Sequence, residues 1–250
     1  MAIYETFGFV LQSKNFGETD KIVTFFTEDF GKISAIAKGI RKSKKRYGPG
    51  LDLLSYDKIF LYGKEHTTLY TLSQWEIKNS FYETINNDMN NKFIYLSYLA
   101  EFIKELTAEK QKNNNLFNLI LNIFEKIKKV DAIENIIGFF ELHALSILGY
   151  CPKIDKCVKC NSLESTQQIF FNIKCGGILC NKCSLLYSDS YMVKLTTIKM
   201  MKMFLNFDLE KLLCMKFNKI FFDEYRKILN YFIKYYFDKE LHSLKFMVYL

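Results

Sequence analysis

The strongest constraint on what this chain can fold into is a pair of Cys-x-x-Cys knuckles. Cys157-Val-Lys-Cys160 and Cys180-Asn-Lys-Cys183 stand with nineteen residues between them. That is the spacing of a four-thiolate zinc site. A Cys-x-x-Cys turn points two sulfurs at one ion while its backbone amides screen the thiolate charge. Two such turns complete a tetrahedron with Zn–S distances of about 2.3 Å. With Cys157, Cys160, Cys180 and Cys183 as ligands to one Zn2+, no position is left for water or substrate, so the site reads as structural. The competing readings are two disulfides or four free thiols. Cys151 and Cys175 are near enough in sequence to be rival ligands, and Cys214 lies apart.

The rest of the chain weighs on that choice. Met1-Ala-Ile-Tyr-Glu5 shows no basic segment followed by an apolar run, so no signal peptide is expected. The most apolar stretch, Phe139 to Leu148, carries Glu141 and His143, so no membrane span is expected. A cytoplasmic location follows as the expectation. In that reducing compartment paired cysteines are more often metal ligands than disulfides.

Residues 1–80 read as strands: Phe7–Ser13, Lys21–Thr27, Lys32–Ala37, Tyr56–Tyr62 and Thr67–Leu72. Gly17, Gly31, Gly48, Gly50 and Gly63 supply turns between them. Five short strands in about eighty residues suit a small closed barrel such as the OB-fold, with a Greek-key sandwich as the alternative. The rest is helical. Phe93, Leu96, Leu99, Ile103 and Leu106 recur at three- and four-residue spacing within Met89–Glu109, and Leu116–Lys129 repeats the pattern. Asn113–Asn115 is a break that can cap a helix, and Asp131 can cap the next one, which stops at Gly149. A final helical block begins near Leu195, its longest piece spanning about Asn218–Tyr236. Between the knuckles, Gln168–Asn172 reads as a strand and Gly176-Gly177 as a tight turn. Such a ribbon buries little apolar surface, so metal binding would supply its folding energy. The expected fold class is therefore α+β multidomain. A five-stranded OB-fold barrel (residues 1–80) precedes an all-α domain (residues 81–250) that carries an inserted four-cysteine zinc module at about 150–190.

The formal net charge is +8. It is unevenly placed, at +3 over residues 1–80, −2 over 81–150, +2 over 151–190 and +5 over 191–250. The densest basic run is Lys38-Gly-Ile-Arg-Lys-Ser-Lys-Lys-Arg46, where six of nine residues are cations: Lys38, Arg41, Lys42, Lys44, Lys45 and Arg46. A basic loop on a barrel rim tracks phosphates by charge and releases counterions on binding. The chain has only three arginines, at 41, 46 and 226, against thirty-two lysines, and two of the three fall in this run. Arginine offers planar, bidentate phosphate contacts that lysine does not. The bland alternative is a solvated charge run. Phe7, Phe9, Tyr56 and Tyr62 offer rings for stacking on bases, but residues of this kind are more often core.

Enzyme signatures are missing: no Gly-x-x-x-x-Gly-Lys, Gly-x-Ser-x-Gly, His-Glu-x-x-His or Gly-x-Gly-x-x-Gly occurs. His66, His143 and His242 are scattered, and His143, inside an apolar helix, reads as a hydrogen-bonded core residue. The chain thus reads as non-enzymatic, and its rival functional reading is an OB-fold/zinc-ribbon RNA-binding or transcription-associated adaptor.

Taken together, four stretches resemble the RecO family of bacterial recombination mediators. They are Gly8–Asp20 with its Gly-Glu-Thr-Asp turn; Thr24–Lys42; Leu148–Pro152 with the Cys-x-x-Cys pair and Gly176–Cys183; and Leu241–Lys245. The resemblance implies an N-terminal OB-fold, a helical domain and a zinc module set into it. It implies DNA repair and recombination (the RecF pathway) without bond-breaking catalysis, at a bacterial, nucleoid-associated location. Expected activities are binding of single- and double-stranded DNA, annealing of complementary strands, and action with RecR to load RecA onto DNA covered by SSB. The C-terminal tail of SSB, which is acidic, is a further implied partner, and Arg226, Lys227 and Lys234 on the last long helix could meet it. Cys175, directly before the glycine pair, departs from the family pattern, and some relatives lack the cysteines altogether.

Overall fold

The computed structural model describes residues 2–42, 51–64, 67–80, 89–128, 130, 133–162 and 168–247. Lys44, Lys45 and Arg46 of the basic run, and the Asp131 cap, lie outside the described residues. The chain forms two compact units, one of Met1–Leu121 with Leu241–Leu250 and one of Asn122–Glu240.

The first unit is built on five strands: β1 (Ala2–Phe16), β2 (Asp20–Thr27), β3 (Gly31–Ala37), β4 (Tyr56–Gly63) and β5 (Leu69–Asn79). They close into a barrel of order β1-β2-β3-β5-β4, with β1 paired back onto β4 and β3 parallel to β5. This is the OB-fold, and closure removes the exposed edges an open sheet would leave. β1 is twice the length its hydrophobic alternation suggests. Its first half pairs with β4 and its second with β2, and a bulge between Val10 and Gln12 turns it from one partner to the other. Val10, Val23, Phe25, Ile33, Ala35, Ile59, Leu61 and Leu72 fill the barrel.

Phe7, Phe9 and Tyr56 are packing residues. Phe7 stacks on Tyr56 at 5.6 Å, and Phe9 and Tyr56 both meet Phe117, on helix α2 (Asn114–Ile127). Asn113 caps that helix by accepting the Leu116 amide at 2.9 Å. The preceding helix, α1 (Met89–Leu106), ends three residues before the sequence pattern suggests, and Lys32 meets its end. The residue is only 9% exposed, and its ammonium donates to the carbonyls of Lys104 and Thr107 at 2.6 Å each. It thereby satisfies carbonyls that every helix end leaves open and complements the helix dipole. Gly31 beside it has φ +65°, and a Cβ there would overlap the Gln111 carbonyl.

In the second unit, helix α3 (Ile133–Ile147) is almost entirely buried, and its polar side chains find partners. Tyr225 Oη donates to Glu141 Oε2 at 2.7 Å, and Asn135 Nδ2 donates to the carbonyls of Leu212 and Met215. His143 Nε2 lies 3.1 Å from the Phe204 carbonyl, and burial lowers its pKa. That is the satisfied core histidine expected from the sequence. Among the described residues no helix is long and apolar enough to cross a membrane. Around α3 lie α5 (Leu195–Asn206), α6 (Leu209–Leu213) and α7 (Lys219–Phe237). Asn218 caps α7, accepting the Ile220 amide at 2.9 Å. The cysteine segment adds strands β6 (Ile169–Asn172), β7 (Gly177–Cys180) and β8 (Tyr191–Val193), in the order β7-β6-β8. The ribbon is therefore three-stranded, because β8, beyond the second knuckle, pairs with β6.

Candidate metal centre and nucleic-acid loop

The first knuckle is tied across the start of β7. Lys153 N donates to Gly176 O, Ile178 N to Lys153 O and Val158 N to Ile178 O, all near 3 Å. A Cβ at Gly177 would overlap the Lys153 carbonyl, so the glycine is what lets the two segments approach. Strand β7 then delivers Cys180, and the single helical turn α4 (Asn181–Ser184) presents Cys183.

The sulfurs of Cys157, Cys160, Cys180 and Cys183 all lie within 4.8 Å of one another. Cys160 Sγ and Cys180 Sγ are 3.7 Å apart. The edge of a tetrahedron with 2.3 Å Zn–S bonds is about 3.8 Å. Cys151 and Cys175 are outside this cluster, so the sulfurs brought together are those of the two knuckles. The electrostatics fit a cation. Burial raises the Cys157 pKa, but the amides of Cys160, Cys180 and Lys159 outweigh it, and the thiol lies below its usual value. The Ser162 hydroxyl and amide pull Cys160 down to about 6. Cys183 is pushed up to about 12, chiefly by its contact with Cys180 and then by burial. Four sulfurs this close cannot all ionise by themselves, and a metal ion at their centre removes that conflict. The donor set can hold a metal ion and has no open position.

The described part of the basic loop is anchored on the β1–β2 turn, Gly17-Glu18-Thr19. Asp20 Oδ1 accepts from Thr19 Oγ1 at 2.6 Å and from the Gly39 amide at 2.8 Å. Arg41 N donates to Thr19 O at 2.9 Å, and Arg41 Nη1 donates to the carbonyls of Glu18 and Gly17 at 3.0 and 3.3 Å. Thr19, the Gly39 amide, Lys38 and Lys42, in that order, hold the Asp20 carboxyl below the usual carboxylate range. The Gly-Glu-Thr-Asp turn thus fixes where the loop leaves the barrel. Arg41 differs from a pure phosphate ligand, since one of its nitrogens is engaged in this anchor. Sequence reasoning missed that role because nothing in the spacing of residues 17–20 and 41 links them.

The C-terminal cations are partly engaged as well. Arg226 Nη2 pairs with Glu134 at 3.0 Å, largely buried, and Lys234 pairs with Glu240 at 2.5 Å. The closing segment 241–245 is held in the first unit by Glu101 of α1, whose carboxylate accepts the amides of His242 and Ser243 at 2.9 and 2.8 Å.

Barrel, helical unit and four-thiol ribbon define an OB-barrel protein with a four-cysteine module able to hold a metal ion. Residues 1–81 match the family model described as recombination protein O N terminal, and residues 90–245 the one described as recombination protein O C terminal. The chain is 33% identical over 238 residues to a DNA repair protein RecO of Alkaliphilus metalliredigens, covering 95% of each. It is 32% identical over 251 residues to that of a Thermoanaerobacter species, covering 99% of this chain and 98% of the relative. A third, from Syntrophus aciditrophicus, is 32% identical over 247 residues, covering 98% of this chain and 95% of the relative. The chain belongs to the RecO family of DNA repair proteins.

Proposed function

We propose that this chain is a non-enzymatic recombination mediator, whose barrel, residues 1–80, grips DNA through the Lys38–Arg46 loop and whose remainder, residues 81–250, is the helical and zinc-bearing part. The observation that carries this reading is the anchoring of a loop with six cations on the β1–β2 turn by Asp20 and Arg41. The anchor fixes the root of the loop, residues 38–42, beside the β1–β2 turn, so that less of it must be ordered when phosphates arrive. Single and double strands share that backbone chemistry, so the loop holds both. Holding two complementary strands by their backbones leaves the base edges free to pair, which is what annealing requires. Transfer of RecA onto SSB-coated DNA, together with RecR and by way of the SSB tail, follows from the family's role.

The metal in this reading is one Zn2+, held by Cys157, Cys160, Cys180 and Cys183, and it supplies folding energy to the ribbon. The test is annealing of complementary oligonucleotides coated with SSB. The protein should accelerate it. No acceleration, together with preferred binding of RNA over DNA of equal length, would favour the RNA-binding adaptor.

A further inference from the structure

The unit of Met1–Leu121 with Leu241–Leu250 contains a cavity of about 830 Å3 that neither the cysteine cluster nor the loop accounts for. Its size is that of a small-ligand site. Leu51 and Leu96 line it and are buried. Phe93 and Phe246 line it too, yet they are 55% and 61% exposed. Open phenyl faces on a cavity wall suit a flat aromatic ligand. Lys21 is the cation of the cavity with no ion pair or side-chain hydrogen bond among the described residues. By contrast, Lys104 pairs with Glu105 and Glu101 caps the closing segment. Lys21 follows Asp20 directly and pairs with Ala37 across β2 and β3, so it stands at the root of the basic loop.

We infer that this cavity receives one splayed-out base of a single strand whose backbone passes the root of the loop, residues 38–42. Lys21 meets the phosphate, and the base stacks on Phe93 or Phe246. Asp52, also on the wall, accepts from an exocyclic amino group, which favours bases that carry one. A duplex keeps its bases stacked and offers none, so the cavity distinguishes single strands from duplex. The inference rests on the loop being a DNA contact.

The test uses the full chain and a single-stranded oligonucleotide carrying one 5-iododeoxycytidine, irradiated and mapped by mass spectrometry. Adducts should fall on Phe93 or Phe246. Ser97→Trp, which fills the cavity from α1, should remove them and lower single-strand affinity about fivefold or more, with duplex affinity unchanged. Phe246→Ala, at an exposed position that leaves the packing in place, should weaken single-strand binding in the same selective way. Adducts elsewhere, with single-strand affinity unaltered in both variants, would overturn the cavity assignment and leave the loop reading standing. An acidic peptide that binds the cavity while DNA binding ignores both variants would overturn it as well. Failure of the unaltered chain to bind single strands and duplex alike at low salt would remove the loop reading and this inference with it.

Discussion

The carboxylate of Asp20 accepts the backbone amide of Gly39 at 2.8 Å. One hydrogen bond thus joins the turn after β1 to the first residues of the basic loop after β3. The loop's direction is set at its root. Asp20→Ala should leave the barrel folded but reduce DNA affinity about fivefold, because the loop must then be ordered on binding. Affinity equal to that of the unaltered chain would separate the anchor from function. The pH dependence has a definite sign. The Asp20 pKa is lowered in the folded state, so its contribution is present above the ordinary aspartate value of about 3.9 and is lost as pH falls through the folded value below it.

Lys32 is buried against the end of α1. Lys32→Met leaves the carbonyls of Lys104 and Thr107 without their donor and should cost about 2–4 kcal/mol, read as a lower denaturation midpoint. Gly31→Ala combines a positive φ with overlap of the Gln111 backbone and should be of similar severity. A midpoint unchanged in both variants would contradict the clamp.

Asp57 of β4 is fully buried, with Oδ2 bonded to Ser55 at 2.9 Å and Oδ1 unpartnered among the described residues. Burial raises its pKa to about 7. The native protein therefore keeps a proton that the unfolded chain releases near pH 4. Stability from this group is fully present below the unfolded value and is lost as pH rises through about 7. Asp57→Asn should flatten the stability profile between about pH 4 and 7 and raise stability above that window by about 2–4 kcal/mol. A variant with the same pH slope as the parent would show that Asp57 is already ionised at neutral pH.

The cysteine cluster predicts about one zinc per chain by elemental analysis. Cys157→Ser or Cys180→Ser should abolish retention of the metal, whereas Cys175→Ser and Cys151→Ser should not, since both lie outside the cluster. Acidification should release the metal as the thiolates regain protons. Metal-free protein purified without chelator would remove the zinc.

Much of this was legible in the residues. The two knuckles specify their own cluster because Cys-x-x-Cys spacing is a local geometry. Barrel and helices follow from periodicity over runs long enough to show it. What escaped was set by contacts between distant segments. β1 runs to Phe16 through charged positions because two strands share it, and β5 continues to Asn79 because β4 offers a ladder to its polar end. β8 is three residues long, too short for alternation to register. The carbonyls at the end of α1 are met by a lysine some seventy residues upstream. Arg41 looked like a phosphate ligand from its rarity, and only the structure reveals that it also ties the turn.

The most direct test of the account is the salt dependence of DNA affinity with and without the loop cations. Lys42, Lys44, Lys45 and Arg46 are replaced by Ala, and Arg41 is kept so that the anchor survives. Binding is then measured across a salt series for a single strand and a duplex. The account predicts a fall in affinity of more than tenfold at low salt. It also predicts a shallower slope of log K against log[salt], by roughly 0.7–0.9 for each phosphate the variant no longer neutralises. An unchanged affinity and slope would contradict the claim that this loop holds the DNA.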